Sequence, residues 1–305
     1  MSRISQEKMG IVIVLSCGMV WGLGGVMGQI LFTQENMTAG WLSTIRMLIS
    51  GCCILGYLIK KEGKKCFRIF SNWKDACSCI AFAIVGVMAM QFTYFKAIQS
   101  SNAATATVLQ YTYPILILIV TAFQQKKFPK YYEIFAIISA FIGIVLVATH
   151  GKLTSLQISR QALAWGIAAA VSFVIYTVAP KKLYEKFGIL EIMGWSMLFG
   201  GGILFFLTNC SKTGLEINTK SVSLTLLITF MSTLYPMIAY GKGVFILGNI
   251  KASLFVTIEP VFCAVVSAIL GIAKFQLVDL AGFLFILVPI EFVAVKSAKE
   301  NKAKK

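Results

Sequence analysis

Long apolar runs dominate this sequence, and they constrain its fold more than any other feature. A helix needs about 20 mostly apolar residues to cross the hydrocarbon of a bilayer, and ten stretches of the chain meet that requirement. They are approximately 9–32, 39–59, 75–95, 102–123, 132–149, 161–180, 190–208, 221–241, 252–273 and 277–295. Because no connecting segment is long enough to fold as a separate domain, the sequence predicts an all-α integral membrane protein with ten transmembrane helices.

The composition excludes the soluble classes of protein. Hydrophobic residues make up 58% of the chain and charged residues only 13%, whereas a soluble domain is about 25% charged. A cytosolic enzyme, a secreted domain or a disordered chain would expose more charge. The first apolar run exceeds the roughly 7–15 residues of a signal-peptide core, and no small-residue cleavage site follows it. We therefore expect a retained first helix.

The basic residues predict the orientation of the chain. There are 28 Lys and Arg against 12 Asp and Glu, which gives a net charge of +16. If the N-terminus is cytoplasmic, 21 basic residues lie in cytoplasmic segments and 6 on the opposite side. Cytoplasmic loops of membrane proteins are enriched in Lys and Arg. We therefore expect a multi-pass protein of the cytoplasmic membrane with both termini cytoplasmic, and no nucleic-acid partner.

An internal repeat divides the ten predicted spans into two sets of five. A shift of 146 residues aligns Tyr94-x-Lys96 with Tyr240-x-Lys242, Ala106 with Ala252, and Pro114 with Pro260. Because five is odd, the second set must be inverted relative to the first, as in many secondary transporters. Gene duplication can also simply stabilise a membrane protein that transports nothing. The predicted units are 1–150 and 151–296, followed by a basic cytoplasmic tail, 297–305.

Arg46 is a charged residue inside the second predicted span, about seven residues from its start. That distance is about 10 Å along a helix. A charge at this depth costs at least a few kcal/mol, so it should face a cavity or a partner. The alternative is that its guanidinium reaches outward to the lipid headgroups.

Glu259 precedes Pro260 near the middle of the ninth predicted span. Proline removes a backbone donor and kinks a helix, which leaves carbonyl groups free to face a cavity. The carboxylate beside them could carry a proton, bind a cationic group or pair with a buried base. It could also be neutralised by a neighbour that only locks the bundle. Pro114 predicts an equivalent kink in the fourth span.

Polar and aromatic residues near these two prolines predict a site for a small organic solute, because hydrogen bonds and ring stacking recognise such molecules. For several of them an ordinary hydrogen bond between helices is the alternative. The residues expected to line the substrate cavity are Arg46, Gln91, Tyr94, Gln110, Tyr111, Tyr113, Tyr240 and Glu259.

Enzyme motifs are missing from the sequence. It contains no HExxH, phosphate loop or GxSxG motif, and its single histidine, His150, has no cluster of ligands around it in sequence. We therefore expect no enzyme, no metal and no cofactor. The expected partners are the lipid bilayer, a small-molecule substrate and a coupling proton or ion, because no ATP-binding motif could drive pumping.

These features together resemble the drug/metabolite transporter superfamily, specifically its EamA type. Trp21-Gly22 is similar to the WG pattern of that family's first helix, and Arg46-Met47-Leu48 to its arginine-led second helix. Tyr94-x-x-Ala97-Ile98 through Pro114 resembles its Y..AL…P signature, and Glu259-Pro260 its EP pair. The family's glycine-glutamate pairs are absent, because the corresponding positions read Gln125-Lys126-Lys127 and Gly271-Ile272-Ala273.

The resemblance implies a secondary transporter, often an exporter of amino acids or other small metabolites, that uses alternating access. It also implies that spans 1–4 and 6–9 line a central cavity while spans 5 and 10 act as scaffold. Two other classes stay open. One is a membrane sensor or scaffold that does not transport, although short basic loops offer little surface for a partner. The other is an intramembrane enzyme acting on lipid, which the missing catalytic motifs disfavour.

Overall fold

Helices are the only regular secondary structure in the residues that the computed structural model describes, which are 3–126, 128, 130–151, 158–210, 217–247, 252 and 255–303. A helix satisfies its own backbone hydrogen bonds, as the water-free bilayer requires. The α-helices are α1 Arg3–Gln34, α2 Ala39–Glu62, α3 Trp73–Phe82, α4 Ala89–Ser100, α5 Ala103–Gln110, α6 Tyr113–Gln125, α7 Tyr131–Thr149, α8 Arg160–Val178, α9 Lys181–Phe187, α10 Ile189–Leu207, α11 Thr219–Thr229, α12 Tyr235–Leu247, α13 Ile258–Ile269 and α14 Leu277–Ala303.

Among the described residues, seven helical segments are long and apolar enough to cross a membrane, so the chain is a multi-pass membrane protein. They coincide with seven of the ten predicted spans and are Gln6–Gln34, Ala39–Ser71, Trp73–Ser100, Tyr131–Thr149, Arg160–Val178, Ile189–Leu207 and Thr219–Gly243. Of the other three, 102–123 is divided between α5 and α6, 252–273 contains the 12-residue α13, and 277–295 lies within α14.

Small polar residues at the helix starts explain why several helices begin where they do. The first N–H groups of a helix have no partner within the helix, and an Asn, Ser or Thr side chain before it can accept a hydrogen bond from them. The side chains that do so are Thr38 for α2, Asn72 for α3, Asn102 for α5, Ser159 for α8 and Asn218 for α11.

Two kinds of deviation from α-helical geometry each occur twice, once in each predicted half. The two occurrences are separated by about the 146 residues of the sequence repeat. One π-helical turn, Ala83–Met88, joins α3 to α4, and another, Phe230–Leu234, joins α11 to α12. A shift of 146 places the first on 229–234, over the second. The chain also leaves helical geometry at Tyr111 and Thr112, and again at Thr257. These two sites have the same spacing.

The predicted proline kinks take the form of breaks between helices. Pro114 is the second residue of α6 and Pro260 is the third residue of α13. Proline is tolerated in the first turn of a helix, where its missing N–H would have no partner. Each proline therefore starts a new helix just after a break, instead of bending a continuous one.

Several helix pairs form the main packing contacts of the bundle. They include α2 with α10, α7 with α14, α4 with α8, α1 with α12, α1 with α13, α5 with α8 and α5 with α13. The α2–α10 crossing is close because both helices carry glycine there. A Cβ atom on Gly51 would lie 2.8 Å from the backbone nitrogen of Leu198 and 3.1 Å from the carbonyl oxygen of Gly194.

Ion pairs connect the helix ends at the two opposite ends of the bundle. At the predicted cytoplasmic end, the Lys186 ammonium of α9 lies 2.5 Å from the Asp75 carboxylate of α3. At the other end, the Lys220 ammonium of α11 lies 2.7 Å from the carboxylate of Glu35, just beyond α1. Hydrogen bonds from Lys220 and Asn218 hold the pKa of Glu35 below its ordinary value.

The α2–α10 crossing predicts a contrast between two glycine substitutions in the same helix. Gly51→Ala should destabilise the protein by about 1–3 kcal/mol, because the added methyl meets backbone that cannot move aside. Gly56→Ala should be neutral or stabilising by up to about 1 kcal/mol, since no described atom lies within 4 Å of its added Cβ. Thermal unfolding of the two purified variants in detergent measures the contrast. Equal midpoints would show that the crossing is not tightly packed.

Candidate functional site

The Arg46 side chain points into the bundle, not toward the lipid headgroups. It is 5% exposed and lies two turns inside α2. Its Nε and Nη2 groups donate to Thr233 Oγ1 at 3.1 and 2.6 Å, and its Cζ lies 4.6 Å from the centre of the Phe95 ring. Among the described residues no carboxylate lies within ion-pair distance of this guanidinium. The buried alternative is thus the one adopted, with a hydroxyl and an aromatic ring as partners.

Glu259 is likewise buried without a charged partner. It is 9% exposed and its Oε2 accepts a hydrogen bond from the Tyr111 hydroxyl at 2.9 Å. That hydroxyl also lies 3.3 Å from the carbonyl oxygen of Val256. No basic side chain in the described part of the chain lies within ion-pair distance of the carboxylate, so none of the described bases is its partner. The contact joins the two helix breaks, because Tyr111 lies at one and Glu259 just beyond the other.

Two buried hydroxyls form a further polar contact in this region. The Tyr94 hydroxyl is 2.9 Å from Thr107 Oγ1. Because the Thr107 hydroxyl donates to the carbonyl oxygen of Ala103 at 2.7 Å, it must accept from Tyr94. Tyr94 precedes Phe95, whose ring faces Arg46, and Thr107 Oγ1 lies 3.9 Å from Cys263 Sγ on α13, the helix that carries Glu259.

Glycines of α1 allow that helix to approach this polar cluster closely. A Cβ atom on Gly25 would lie 2.7 Å from the Tyr94 hydroxyl, and one on Gly22 would lie 3.0 Å from the carbonyl oxygen of Glu259. Any larger residue would push α1 away. Gly22 and Gly25 thus allow α1 to pack against the site.

The other predicted cavity residues lie around the same breaks. Gln110, the last residue of α5, is 7% exposed. The ring of Tyr113 lies 5.8 Å from the Tyr111 ring and 4.1 Å from the Phe173 ring of α8. In contrast, Gln91 contributes a backbone carbonyl, which accepts a hydrogen bond from Ser43 at 3.4 Å.

Tyr240 packs against α1. Its ring lies 5.6 Å from the Trp21 ring, in a small apolar cluster with Val14 and Val256. The carbonyl oxygen of Val256 lies 3.3 Å from the Tyr111 hydroxyl, so this cluster adjoins the site. The place of Tyr240 in a substrate cavity stays a prediction.

Four further residues of the cluster were not predicted from the sequence: Phe95, Thr107, Thr233 and Cys263. Thr107 lies within donor distance of Cys263 Sγ, at 3.9 Å. Thr233 is part of a π-helical turn, and such turns often mark functional sites. Its only signal in the sequence is a polar Ser232-Thr233 pair inside an apolar span.

A cavity opens beside the second π-helical turn. Its volume is about 310 Å³, and its described lining residues are Ile13, Tyr235, Ala239 and Lys242. It lies between α1 and α12, where the Tyr235 hydroxyl is 2.7 Å from Ser16 Oγ. Pockets for small molecules have volumes of about 300–1,000 Å³. The cavity can therefore hold a small metabolite, although none of the eight predicted cavity residues is among those lining it.

Comparison with known proteins places the chain among membrane transporters. The EamA-like transporter family matches residues 8–149 and 160–294. The uncharacterised inner membrane transporter YicL of Salmonella typhimurium is 34% identical over 300 residues, which cover 98% of this chain and 100% of that protein. The uncharacterised transporter YrdR of Bacillus subtilis is 24% identical, over 97% and 94% of the two chains.

A solved crystal structure shares the fold. It superposes with a TM-score of 0.62 at 15% sequence identity, over 98% of this chain and 100% of the other. At that identity the likeness concerns the fold alone.

The contact between Tyr111 and Glu259 predicts coupled effects on stability. Tyr111→Phe should lower the free energy of unfolding by about 1–2 kcal/mol, because a buried carboxyl loses its hydrogen-bond donor. In a Glu259→Met background the same change should cost little, which gives a coupling energy of about 1 kcal/mol. Denaturant titrations of the four purified proteins in detergent measure this cycle.

Tyr57→Phe serves as the matched control, since Tyr57 is 56% exposed on α2 and should change stability by less than about 0.5 kcal/mol. Additive effects of Tyr111→Phe and Glu259→Met would show that the two side chains do not interact.

Proposed function

The chain belongs to the EamA-like transporter family, and from that premise we propose that it is a secondary transporter that exports small organic metabolites, such as amino acids, by alternating access. Its family and its relatives' names indicate a transporter and not an enzyme. The observation that carries the proposal is the burial of two ionisable groups, Arg46 two turns inside α2 and Glu259 just beyond a helix break, with no charged partner among the described residues.

The energetics of those charges support a role in transport. An ionised side chain inside a bilayer costs at least a few kcal/mol and is normally paired or functional. Structural pairing would be the cheapest solution, yet a hydroxyl, a phenol and an aromatic ring are the partners found. A transported solute or a proton can neutralise these groups when it binds, which is how a site would gain affinity from charges that the fold leaves unpaired.

The packing of the helices supports the ten-span inverted repeat that alternating access requires. In terms of the predicted spans, the packed helix pairs include spans 2 and 7, spans 4 and 9, spans 5 and 10, spans 3 and 6, and spans 1 and 8. A two-fold axis between inverted halves would exchange each span with its equivalent in the other half, for example span 1 with span 6. This exchange leaves the first three pairs unchanged and turns the pair of spans 3 and 6 into the pair of spans 8 and 1, as such an axis requires.

The family match and the helix irregularities support the same division. The matched stretches, 8–149 and 160–294, agree closely with the proposed halves, 1–150 and 151–296. Both π-helical turns and both helix breaks recur at a spacing of 146 residues. Residues 297–305 remain a basic tail outside the repeat.

Coupling to an ion gradient is part of the proposal, because the sequence has no ATP-binding motif. Glu259 is the carboxyl group best placed to carry a proton. Among the described residues its hydrogen-bond partner is the neutral Tyr111 hydroxyl, so no fixed positive charge holds it in the ionised form. Arg46 and Glu259 carry opposite charges when both are ionised, so protonation of Glu259 changes the net charge that a bound solute meets.

Removing the titratable group should impair transport more than folding. Cells that overexpress the wild type should accumulate at least one metabolite in the medium, identified by mass spectrometry. Glu259→Gln should lower that accumulation by about tenfold or more, equivalent to about 1.4 kcal/mol, while the amount of protein in the membrane stays near that of wild type.

Glu185→Gln is the matched control, because Glu185 is an exposed acid on α9 and its loss should leave export unchanged. Equal losses of transport and of folded protein in Glu259→Gln would assign Glu259 to structure alone.

The proposed topology places both termini in the cytoplasm of the cell that bears the protein. A fluorescent protein fused to the C-terminus of the full chain should therefore fold and fluoresce, because such reporters fold in the cytoplasm. Alkaline phosphatase fused there should be inactive, but active when inserted after Ser101, between α4 and α5. The reverse pattern would overturn the orientation that the basic residues predict.

A further inference from the structure

We infer that Arg46 binds a carboxylate group of the transported substrate, so that this protein selects organic acids or zwitterions over neutral and cationic solutes. The inference rests on the proposed transport function and names the chemistry of its substrate. The group that carries it is a guanidinium 5% exposed, without an acidic partner among the described residues.

The hydrogen bonds of Arg46 leave much of its binding capacity unused. A guanidinium has five N–H donors in a planar fork that matches a carboxylate with two parallel hydrogen bonds. Only Nε and Nη2 donate to described residues, and both donate to the same atom, Thr233 Oγ1. A single neutral oxygen cannot compensate a buried positive charge, whereas a carboxylate can supply both the charge and a second acceptor.

The surroundings of Arg46 orient the guanidinium and do not neutralise it. Thr233 fixes one edge, and the Phe95 ring lies 4.6 Å from Cζ, which favours a cation over its face. Thr233 is held in turn by the π-helical turn, where the carbonyl oxygen of Ile228 lies 3.5 Å from its hydroxyl. Thr233 is therefore a positioning residue, and Arg46 is the residue that would touch the substrate.

The cavity beside the same turn has matching charge. Tyr235 and Lys242 line it, and Tyr235 follows Thr233 by only two residues. Among its described lining residues Lys242 is the charged one, and its ammonium would attract an anion. Lys242 in the cavity and the buried Arg46 are both positive, so each favours a carboxylate over a cationic solute.

Paired probes that differ only at the carboxyl group test this inference. The full chain is purified and reconstituted into liposomes. These liposomes are loaded with a mixture of α-amino acids, 2-hydroxy acids and dicarboxylic acids. A parallel preparation carries the corresponding primary amides. Mass spectrometry then measures the release of each compound relative to protein-free liposomes.

We expect the wild type to release at least one acid. The corresponding amide should be released at about one tenth of that rate or below, because it lacks one charge-assisted hydrogen-bonding interaction. Arg46→Gln should abolish this preference and Arg46→Lys should retain part of it. Arg160→Gln, at an exposed arginine that starts α8, should behave as wild type.

Thr233 provides a second test if Arg46→Gln does not fold. Thr233→Val should raise the concentration of acid needed for half-maximal release, and Thr233→Ser, which keeps the hydroxyl, should restore it. A loss of folded protein alone would leave that concentration unchanged, so a constant value would argue against the positioning role.

Two outcomes overturn the inference by itself: amides released as fast as acids by the wild type, or unchanged acid release by well-folded Arg46→Gln. Release of neither acids nor amides by the wild type would instead count against the proposed function, and the inference would fail with it.

Discussion

The structure depends on one constraint, which is that backbone hydrogen bonds must be satisfied where there is no water. Helices meet it alone, and any departure from helical geometry needs partners from inside the bundle. The departures in this chain are two π-helical turns and two breaks that precede prolines. The residues of the site gather around them, since Tyr111 lies at one break, Glu259 follows the other and Thr233 lies in a π-helical turn. Irregular backbone and polar chemistry therefore occur together in this bundle.

The same lack of water makes the unpaired charges of Arg46 and Glu259 costly. Packing alone would favour replacing them with apolar side chains of similar volume, because a buried ion pair often adds little stability even when it is complete. Their placement apart, each with neutral partners among the described residues, is understandable if they act on a solute or proton that binds and leaves. The protein without a bound solute is then less stable than a fully apolar bundle would be, and its affinity for the solute is higher.

Much of this could be predicted from the sequence, and the residues show why the rest could not. Hydrophobic run length located the seven membrane-spanning segments found among the described residues, and the match over 8–149 and 160–294 confirmed the family resemblance. Burial of Arg46 could not be chosen over an outward orientation, because side-chain direction depends on neighbours contributed by other helices. Thr233 could not be singled out from the sequence, since no sequence pattern predicts the π-helical turn that positions its hydroxyl. The broken helices follow from Pro114 and Pro260, but the contact of Tyr111 with Glu259 depends on how two distant segments pack.

The ion pairs at the two ends of the bundle have a consequence for how the two halves recognise each other. At one end the first half supplies the acid, Asp75, from the start of its third span, and the second half supplies the base, Lys186. At the other end the second half supplies the base, Lys220, from the start of its third span, one position before the repeat equivalent of Asp75, and the first half supplies the acid, Glu35. Two copies of the first half would thus place Asp75 against Glu35, and two copies of the second half Lys220 against Lys186. Like charges in contact disfavour such pairings, so the reversal of polarity favours the union of unlike halves and makes each a poor partner for itself.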